Sequence, residues 1–363
     1  MIKNLIDWYS ENKRELPWRG EKDPYKIWIS EIILQQTRIE QGLNYYYSFI
    51  ESFPDVFKLA EAPQEKVLRL WQGLGYYSRA RNLHQAAKEI VDKYNGRFPK
   101  DYQKLLGLKG IGPYTAAAIA SIAFELPFPV LDGNVARFLS RLYGVQQAIN
   151  STEGQKLILG IANELIANQK PSVFNQAMME MGALICKPQP QCNVCPLTQW
   201  CFAWKHKCTD MLPVKIPKKK PYDRYLNYFV FQNKEHSSED NSFIIRQRKE
   251  DDVWKDMYDF PCYESKSPIE PNDLLSIPIV NNWLKISQGA MIKYEALKPH
   301  KLTHQTLHIT MYYFAPCRLL ELIKSIPDTH ITNPEKFEHL PKPKPFIQKK
   351  QGKRNIPIPP PLI

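Results

Sequence analysis

"LLGLKGIGPYTAAAIASIAF", residues 105–124, sets a Gly-x-Gly turn between a short apolar segment and a run dominated by alanine. It reads as a short helix, a tight turn and a second helix. Gly110 and Gly112 permit a backbone turn closed to side chains, and the small residues from Tyr114 onward let two helix backbones approach closely. The bare N–H groups of the turn, followed by a helix N-terminus, make a site for one phosphate. By itself a Gly-x-Gly turn describes an ordinary helical hairpin with glycine caps equally well. Its neighbours have to decide.

Working outward, residues 1 to 205 keep a helical period, as in "VLRLWQGLGYYSRARNLHQAAKEIV", with turns marked by Gly or Pro. The first domain therefore reads as all-α over 1–205. "MLPVKIPKKKPYDR" then gathers prolines and lysines, the composition of an exposed linker at 206–222. Beyond it, "YLNYFVF", "SFIIRQR" and "TLHITMYYF" alternate with a period of two, so 223–345 reads as an α+β or mostly β domain. The Pro- and Lys-rich end, 346–363, has little to bury and reads as a flexible tail. Two domains suit a chain of 363 residues.

The formal net charge of +12 suits a polyanionic partner, because each Lys or Arg beside a phosphate releases condensed counterions. Nucleic acid is the leading candidate. The opening "MIKNLIDWYSENKRELPW" is an amphipathic helix broken by Asp7, Glu11 and Glu15, not a signal peptide. No apolar run approaches the length that spans a bilayer, so a membrane partner is not expected and the protein reads as cytoplasmic.

About seventy residues after the turn comes "CKPQPQCNVCPLTQWC", which places Cys186, Cys192, Cys195 and Cys201 in one short stretch. In a reducing compartment such a cluster binds metal more often than it forms disulfides. Zinc sites usually pair two C-x-x-C knuckles, whereas this stretch has one, Cys192 to Cys195. The cysteine types and spacing by themselves leave zinc and another thiolate-bound group open.

Two carboxylates stand out. Around Glu31, the string "YKIWISEIIL" leaves almost no polar helical face, so the helix should be buried and the carboxyl's charged form destabilised. Such a group can keep a proton near neutral pH and act as a general acid. The plainer alternative is a first-turn glutamate with Ser30 as cap. Asp132, in "LDGNVARF", is a good helix N-cap; a carboxylate at a helix start is also held ionised and aimed outward.

The hairpin, the cysteine stretch, "LPWR" (16–19), "DPYKIWISEIILQQT" (23–37) and "LDGNVARF" (131–138) together resemble the helix-hairpin-helix DNA glycosylases with an iron–sulfur cluster, specifically the MutY-type adenine DNA glycosylases. The resemblance implies a [4Fe–4S] cluster on Cys186, Cys192, Cys195 and Cys201. Here five residues separate the first two cysteines, where the family commonly has six. It implies that Glu31 protonates adenine at N7 and that Asp132 stabilises or captures the sugar. Tyr114 and Asn134 would support both. Strand-cutting relatives such as endonuclease III carry a lysine where Tyr114 stands, so base removal without strand scission is expected. Gln36, with Thr37 beside it, and Tyr77 from "GLGYYSR" match residues that contact or wedge into DNA, as Gly110 and Gly112 match its phosphate turn. Without the resemblance, Gln36 is a surface residue ending a helix and Tyr77 a core aromatic.

"IIRQRKEDDVWKDMYDFPCYE" (244–264) resembles the Nudix-like C-terminal domain of the same enzymes, without the glutamate-rich helix that holds magnesium in true Nudix hydrolases. Recognition, not hydrolysis, is implied. Thr303 and His304 fall where the family contacts 8-oxoguanine, with Leu302 in place of an aromatic. The expected partner is double-stranded DNA carrying an A:8-oxoguanine or A:G mispair. The expected actor is a monomer in the cytoplasm, on the nucleoid if the cell is bacterial. An endonuclease III-like glycosylase/lyase and a non-catalytic DNA-binding module are the alternatives.

Overall fold

A computed structural model describes residues 1–217, 220–233 and 241–347. Two compact units emerge, Met1–Ala62 with Asn82–Lys218, and Pro63–Arg81 with Lys219–Ile363. The first is helical and the second α+β, as the two hydrophobic periods predict.

In the first unit the helix Pro24–Leu34 begins on Asp23, whose Oδ1 accepts the Tyr25 N–H at 2.9 Å, with proline at the first helical position. Apolar on nearly every face, it is buried, packed against Ile39–Ser52 and Pro113–Phe124. The alanines of Pro113–Phe124 supply the close approach expected of them. In the hairpin turn, Gly110 has φ +75°, and a Cβ there would stand 2.5 Å from Asn82 Cβ, so this position requires glycine. Gly112 does not. Its backbone is ordinary extended chain and an added Cβ would meet nothing within 4 Å, which corrects the expectation that both glycines are sterically needed.

A second core of this unit joins Ile2–Asn12, Gly133–Tyr143, Thr152–Ile166 and Pro171–Leu184 around Leu5, Phe138, Leu139, Phe174 and Met181. The cysteine stretch packs on it through Cys186, Cys195 and Cys201. The expected linker at 206–222 is folded over most of its length. Leu212 is buried and its carbonyl accepts from Arg141 Nε at 2.8 Å; Ile149 N–H reaches Val214 O at 3.0 Å; the Asn150 side chain pairs with both backbone groups of Ile216. Proline and lysine content signals solvent, but these backbone groups find fixed partners on the first unit.

The second unit holds eight strands among the described residues: β1 Tyr222–Phe231, β2 Phe243–Gln247, β3 Tyr258–Asp259, β4 Cys262–Ser265, β5 Ala290–Ala296, β6 His300–Lys301, β7 Gln305–Ala315 and β8 Thr329–Thr332. One sheet runs β4-β1-β7-β5, with β6 also on β7, and the other runs β3-β2-β8. β1 and β7 pair in parallel from Tyr222↔Gln305 to Phe231↔Phe314. Phe229, Phe231, Tyr312 and Phe314 face Val280, Trp283 and Leu322 from the helices Pro278–Ser287 and Leu319–Ser325.

Two boundaries differ from expectation. Helical period assigns Pro63–Arg81 to a continuous first domain, but it packs with the second unit: Tyr258 Oη donates to Glu65 Oε1 at 2.5 Å and Arg81 Nη1 to Lys255 O at 2.9 Å. Helical period says that a face is buried, not against what. Phe346, placed at the start of the tail, is buried 5.0 Å from the Tyr228 ring and 5.7 Å from Phe260. One aromatic docks a string whose composition looks soluble. The rest of the tail, from 348, lies outside the described residues.

Candidate active site

In the first unit, a cavity of about 220 Å³ is lined by Glu31, Tyr114, Asp132 and Asn134, together with Arg19, Thr37 and Met179. Three separate segments, the helices Pro24–Leu34 and Pro113–Phe124 and the capped start of Gly133–Tyr143, thus deliver the four sequence-predicted residues to one place.

Glu31 sits one turn before the end of its helix and is 8% exposed. The cap is Asp23, while Ser30 Oγ donates to Ile27 O at 2.7 Å, so the first-turn reading of Glu31 does not hold. Burial pushes its carboxyl above the ordinary range; the Tyr114 hydrogen bond and the Arg19 charge pull it partly back, and Asp132 adds to the rise. Tyr114 Oη donates to Glu31 Oε2 at 2.6 Å, and burial with the adjacent carboxylates holds that phenol protonated.

Asp132 is both cap and cavity wall. Its Oδ1 accepts the N–H groups of Asn134 at 2.9 Å and Val135 at 2.7 Å, and its Oδ2 accepts Asn134 Nδ2 at 2.8 Å. Both oxygens are therefore fixed. Asn134 is fixed in turn by Arg137, whose Nη2 donates to Asn134 Oδ1 at 3.0 Å and to Gly182 O at 2.7 Å, while Nε donates to Cys186 O at 2.8 Å. Gly182 lies so close that a Cβ would stand 2.7 Å from Asn134 O.

Sequence reasoning missed one element. Glu180 is 0% exposed, clamped by Arg14 through Nε and Nη2 at 2.8 Å each and by Arg19 Nη2 at 2.6 Å. Burial would raise this carboxyl, but the Arg14 hydrogen bonds and the Arg19 charge prevail and hold it below the usual range. The cavity wall thus carries two glutamates whose pKa values are pushed in opposite directions, Glu31 up by burial and Glu180 down by its two arginines. The signal was present in "NQAMMEMGAL": a lone glutamate in a helix apolar all round, as at Glu31.

Cys186, Cys192, Cys195 and Cys201 line one small apolar cavity of about 30 Å³ with Phe138, Leu142, Leu197 and Trp204. All are free thiols, which removes the disulfide alternative. Burial pushes the Cys195 thiol up to about 11, opposed by a backbone N–H from Leu197; Cys201 is raised likewise, opposed by backbone N–H groups of Trp204 and Ala203. Arg141 Nη1 approaches Cys186 Sγ at 3.6 Å. Soft donors, backbone N–H groups aimed at sulfur and a neighbouring guanidinium fit a group held by thiolates. Among the described residues, no three His, Cys, Asp or Glu side chains are grouped so as to hold a single metal ion.

The chain matches the family described as HhH-GPD superfamily base excision DNA repair protein over residues 29–162 and the NUDIX domain over 236–348. It is 36% identical over 313 residues to the adenine DNA glycosylase of Buchnera aphidicola subsp. Baizongia pistaciae, covering 85% of this chain and 84% of that one. The chain belongs to the adenine DNA glycosylase family. The human adenine DNA glycosylase is 41% identical over 210 residues, 55% of this chain and 38% of its own length. Among solved structures, a thermostable thymine-DNA glycosylase aligns with 56% of this chain and 95% of its own at a TM-score of 0.53 and 27% identity. Membership makes the protein a DNA N-glycosylase of base-excision repair with DNA as partner.

For an adenine DNA glycosylase family member, the DNA-facing residues require one correction. Tyr77 is 3% exposed and its Oη accepts the Gly73 N–H at 3.1 Å, so it is the core aromatic of the plainer reading. The exposed ring is Tyr76, 42% accessible, on a residue with φ +49°. Period alone could not separate two adjacent tyrosines. Arg79 packs over Trp71 and Tyr76, and Arg81 pairs with Asp256, so neither is a spare cation for phosphate. Gln36 is exposed with φ +57°, directly after the Glu31 helix, and Thr37 borders the cavity that Glu31 and Asp132 line.

In the second unit, Thr303 and His304 form an exposed bend between β6 and β7. They line a cavity of about 590 Å³ with Tyr76, Tyr222, Trp254 and His300, and the hydroxyls of Tyr76 and Thr303 are hydrogen-bonded. Among the described residues, no helix is long and apolar enough to cross a membrane.

Proposed function

We propose that this protein excises adenine paired with 8-oxoguanine or guanine, hydrolysing the N-glycosidic bond without cutting the strand. The observation that carries the reading is the single cavity shared by a buried Glu31, whose carboxyl burial pushes above the ordinary range, and a doubly anchored Asp132. Adenine inside a duplex is out of reach, so the nucleoside is extruded into that cavity. The Glu31 proton passes to adenine N7, the C1′–N9 electron pair leaves with the base, and a positive sugar remains. The Asp132 carboxylate stabilises it or bonds to C1′, as in retaining glycosidases. Water then adds at C1′, any Asp132–C1′ bond breaking with its electron pair returning to the carboxylate, and the water's proton returns to the Glu31 carboxylate. Tyr114 orients Glu31 and, not being an amine, offers no Schiff base, so the strand stays intact.

Cys186, Cys192, Cys195 and Cys201, which line one small apolar cavity, would hold a [4Fe–4S] cluster as thiolates, and the cluster would supply a rigid anchor for their loop. Thr303 and His304 read the opposite base, Gln36 and Tyr76 enter the stack, and the Gly110–Gly112 turn meets a phosphate. DNA as substrate favours cytoplasmic or nucleoid action, and with both carboxylates on one chain a monomer carries the complete site.

The test uses duplexes with A opposite 8-oxoguanine, G or T. Alkali-dependent cleavage at the adenine, fastest opposite 8-oxoguanine and lost in Glu31→Gln with binding retained, is expected. Full excision by Glu31→Gln removes the assignment of the acid, and alkali-independent cleavage favours a lyase.

A further inference from the structure

Beside the Thr303–His304 bend, one exposed ring is held as if it were buried. Tyr222, the first residue of β1, is 57% exposed and lines the same cavity as Thr303 and His304. An unanchored surface tyrosine samples several rotamers. This one donates its hydroxyl to Gln305 Oε1 at 3.0 Å, and its backbone N–H donates to His304 O at 3.2 Å.

The anchor is itself rigid. Gln305 is 1% exposed, and its Oε1 also accepts from Arg224 Nη1 at 3.2 Å. Arg224 is clamped by Asp252 at 2.8 and 3.0 Å and by Glu264 at 2.7 Å through two nitrogens. Two donors on Oε1 settle which end of the amide is oxygen. Gln305 Nε2 is then a buried donor with no hydrogen-bond partner among the described residues, in the wall of the cavity. A buried donor left open is a feature that a ligand's acceptor satisfies.

Leu302 has no π face, and Thr303 and His304 sit in the bend as hydrogen-bonding groups. The Tyr222 ring lies 6.4 Å from the His304 ring at 48°. The geometry points to Tyr222 as the stacking surface for the base opposite the excised adenine, with Gln305 as its positioning residue. This rests on the reading that the Thr303–His304 bend meets that base. Rings that carry unpaired bases do so with little regard to base identity, because every base has a π face. Tyr222 therefore adds affinity for an opposite base in general, and Thr303 and His304 choose among bases.

The experiment measures binding of the full-length protein to duplexes with a non-hydrolysable 2′-fluoro-deoxyadenosine opposite 8-oxoguanine, guanine or a baseless tetrahydrofuran spacer. Tyr222→Leu is expected to weaken binding by about tenfold opposite either base and less than twofold opposite the spacer. Tyr222→Phe and Gln305→Leu, which keep a ring but lose its anchor, should fall between wild type and Tyr222→Leu, with the same base-against-spacer split. Unchanged binding by Tyr222→Leu, or an equal loss with base and spacer, overturns the stacking role. If the wild type separates 8-oxoguanine from the spacer while Tyr222→Leu does so equally well, only this inference falls. A wild type indifferent to the opposite base overturns it together with the mispair reading. Thermal melting of each variant reports its fold, and substitution of so exposed a ring leaves the core intact.

Discussion

Gly182→Ala tests how tightly Asp132, the carboxylate proposed to meet the sugar, is positioned from outside the cavity. The added Cβ would stand 2.7 Å from Asn134 O and 2.8 Å from Asn134 C and Cβ. Ordinary contact begins near 3.4 Å, so something must give by roughly 0.6 Å. Asn134 cannot move alone, because its backbone N–H and its side-chain amide hold the two Asp132 oxygens, and Arg137 ties its Oδ1 to Gly182 O. Overpacking of this kind costs about 1–3 kcal/mol of stability, and each kcal/mol lowers Tm by about 2–4 °C in a unit of this size. Displacing a catalytic group by a sizeable fraction of an ångström costs up to about 100-fold in rate. Single-turnover excision should therefore slow by about 10- to 100-fold, while affinity for a non-hydrolysable duplex stays within threefold. Gly160→Ala is the comparison. On the helix Thr152–Ile166, its Cβ meets nothing within 4 Å, so it should leave the rate alone and stabilise slightly, by about 0.5–1 kcal/mol. A Gly182→Ala protein with wild-type rate and melting would show that Asn134 does not transmit position to Asp132.

Other perturbations probe the remaining parts. Excision should fail on the alkaline side as Glu31 loses its proton, and Tyr114→Phe, by removing the hydrogen bond that lowers the Glu31 pKa, should move that limb to higher pH in a kcat profile. The sign for stability follows: a carboxyl raised on folding contributes most below its unfolded pKa, and that contribution is lost as pH rises through the folded value, so Glu31→Gln should melt no lower than wild type at neutral pH. Cys195→Ser should lower iron content and visible absorption in the purified protein; unchanged iron would exclude it as a ligand. Tyr77→Ala should cost about 3–5 kcal/mol in chemical denaturation, whereas Tyr76→Ala should leave stability within about 0.5 kcal/mol and weaken DNA binding; the reverse pattern would return the wedge to Tyr77.

Some of the site was legible residue by residue. Glu31 announces its burial through the apolar residues on every side of it, and Asp132 announces its role as cap through the Gly-Asn-Val that follows, because helix periodicity and capping are relations within a few residues. Glu180 carried the same signal and went unread, since its partners Arg14 and Arg19 lie more than 150 residues away in the chain. The adjacent Tyr76 and Tyr77 exchange roles on a backbone with φ +49° at Tyr76, which no propensity encodes. The folded 206–217 segment and the docked Phe346 were hidden by composition that describes average solvation and not individual partners.

Hydrophobic period, capping residues, the glycine turn and the four close cysteines were enough, unaided, to specify a helical part followed by a sheet part, a buried acid, a helix-capping carboxylate and a cluster of four thiols. Only the tertiary structure brought Glu31, Tyr114, Asp132 and Asn134 to one cavity, lined it also with a Glu180 whose pKa is lowered where that of Glu31 is raised, and chose which tyrosine faces solvent. The physical reason is range: secondary structure and burial follow from forces among near neighbours, whereas pKa and catalytic geometry depend on charges and packing surfaces that meet only when distant segments fold together.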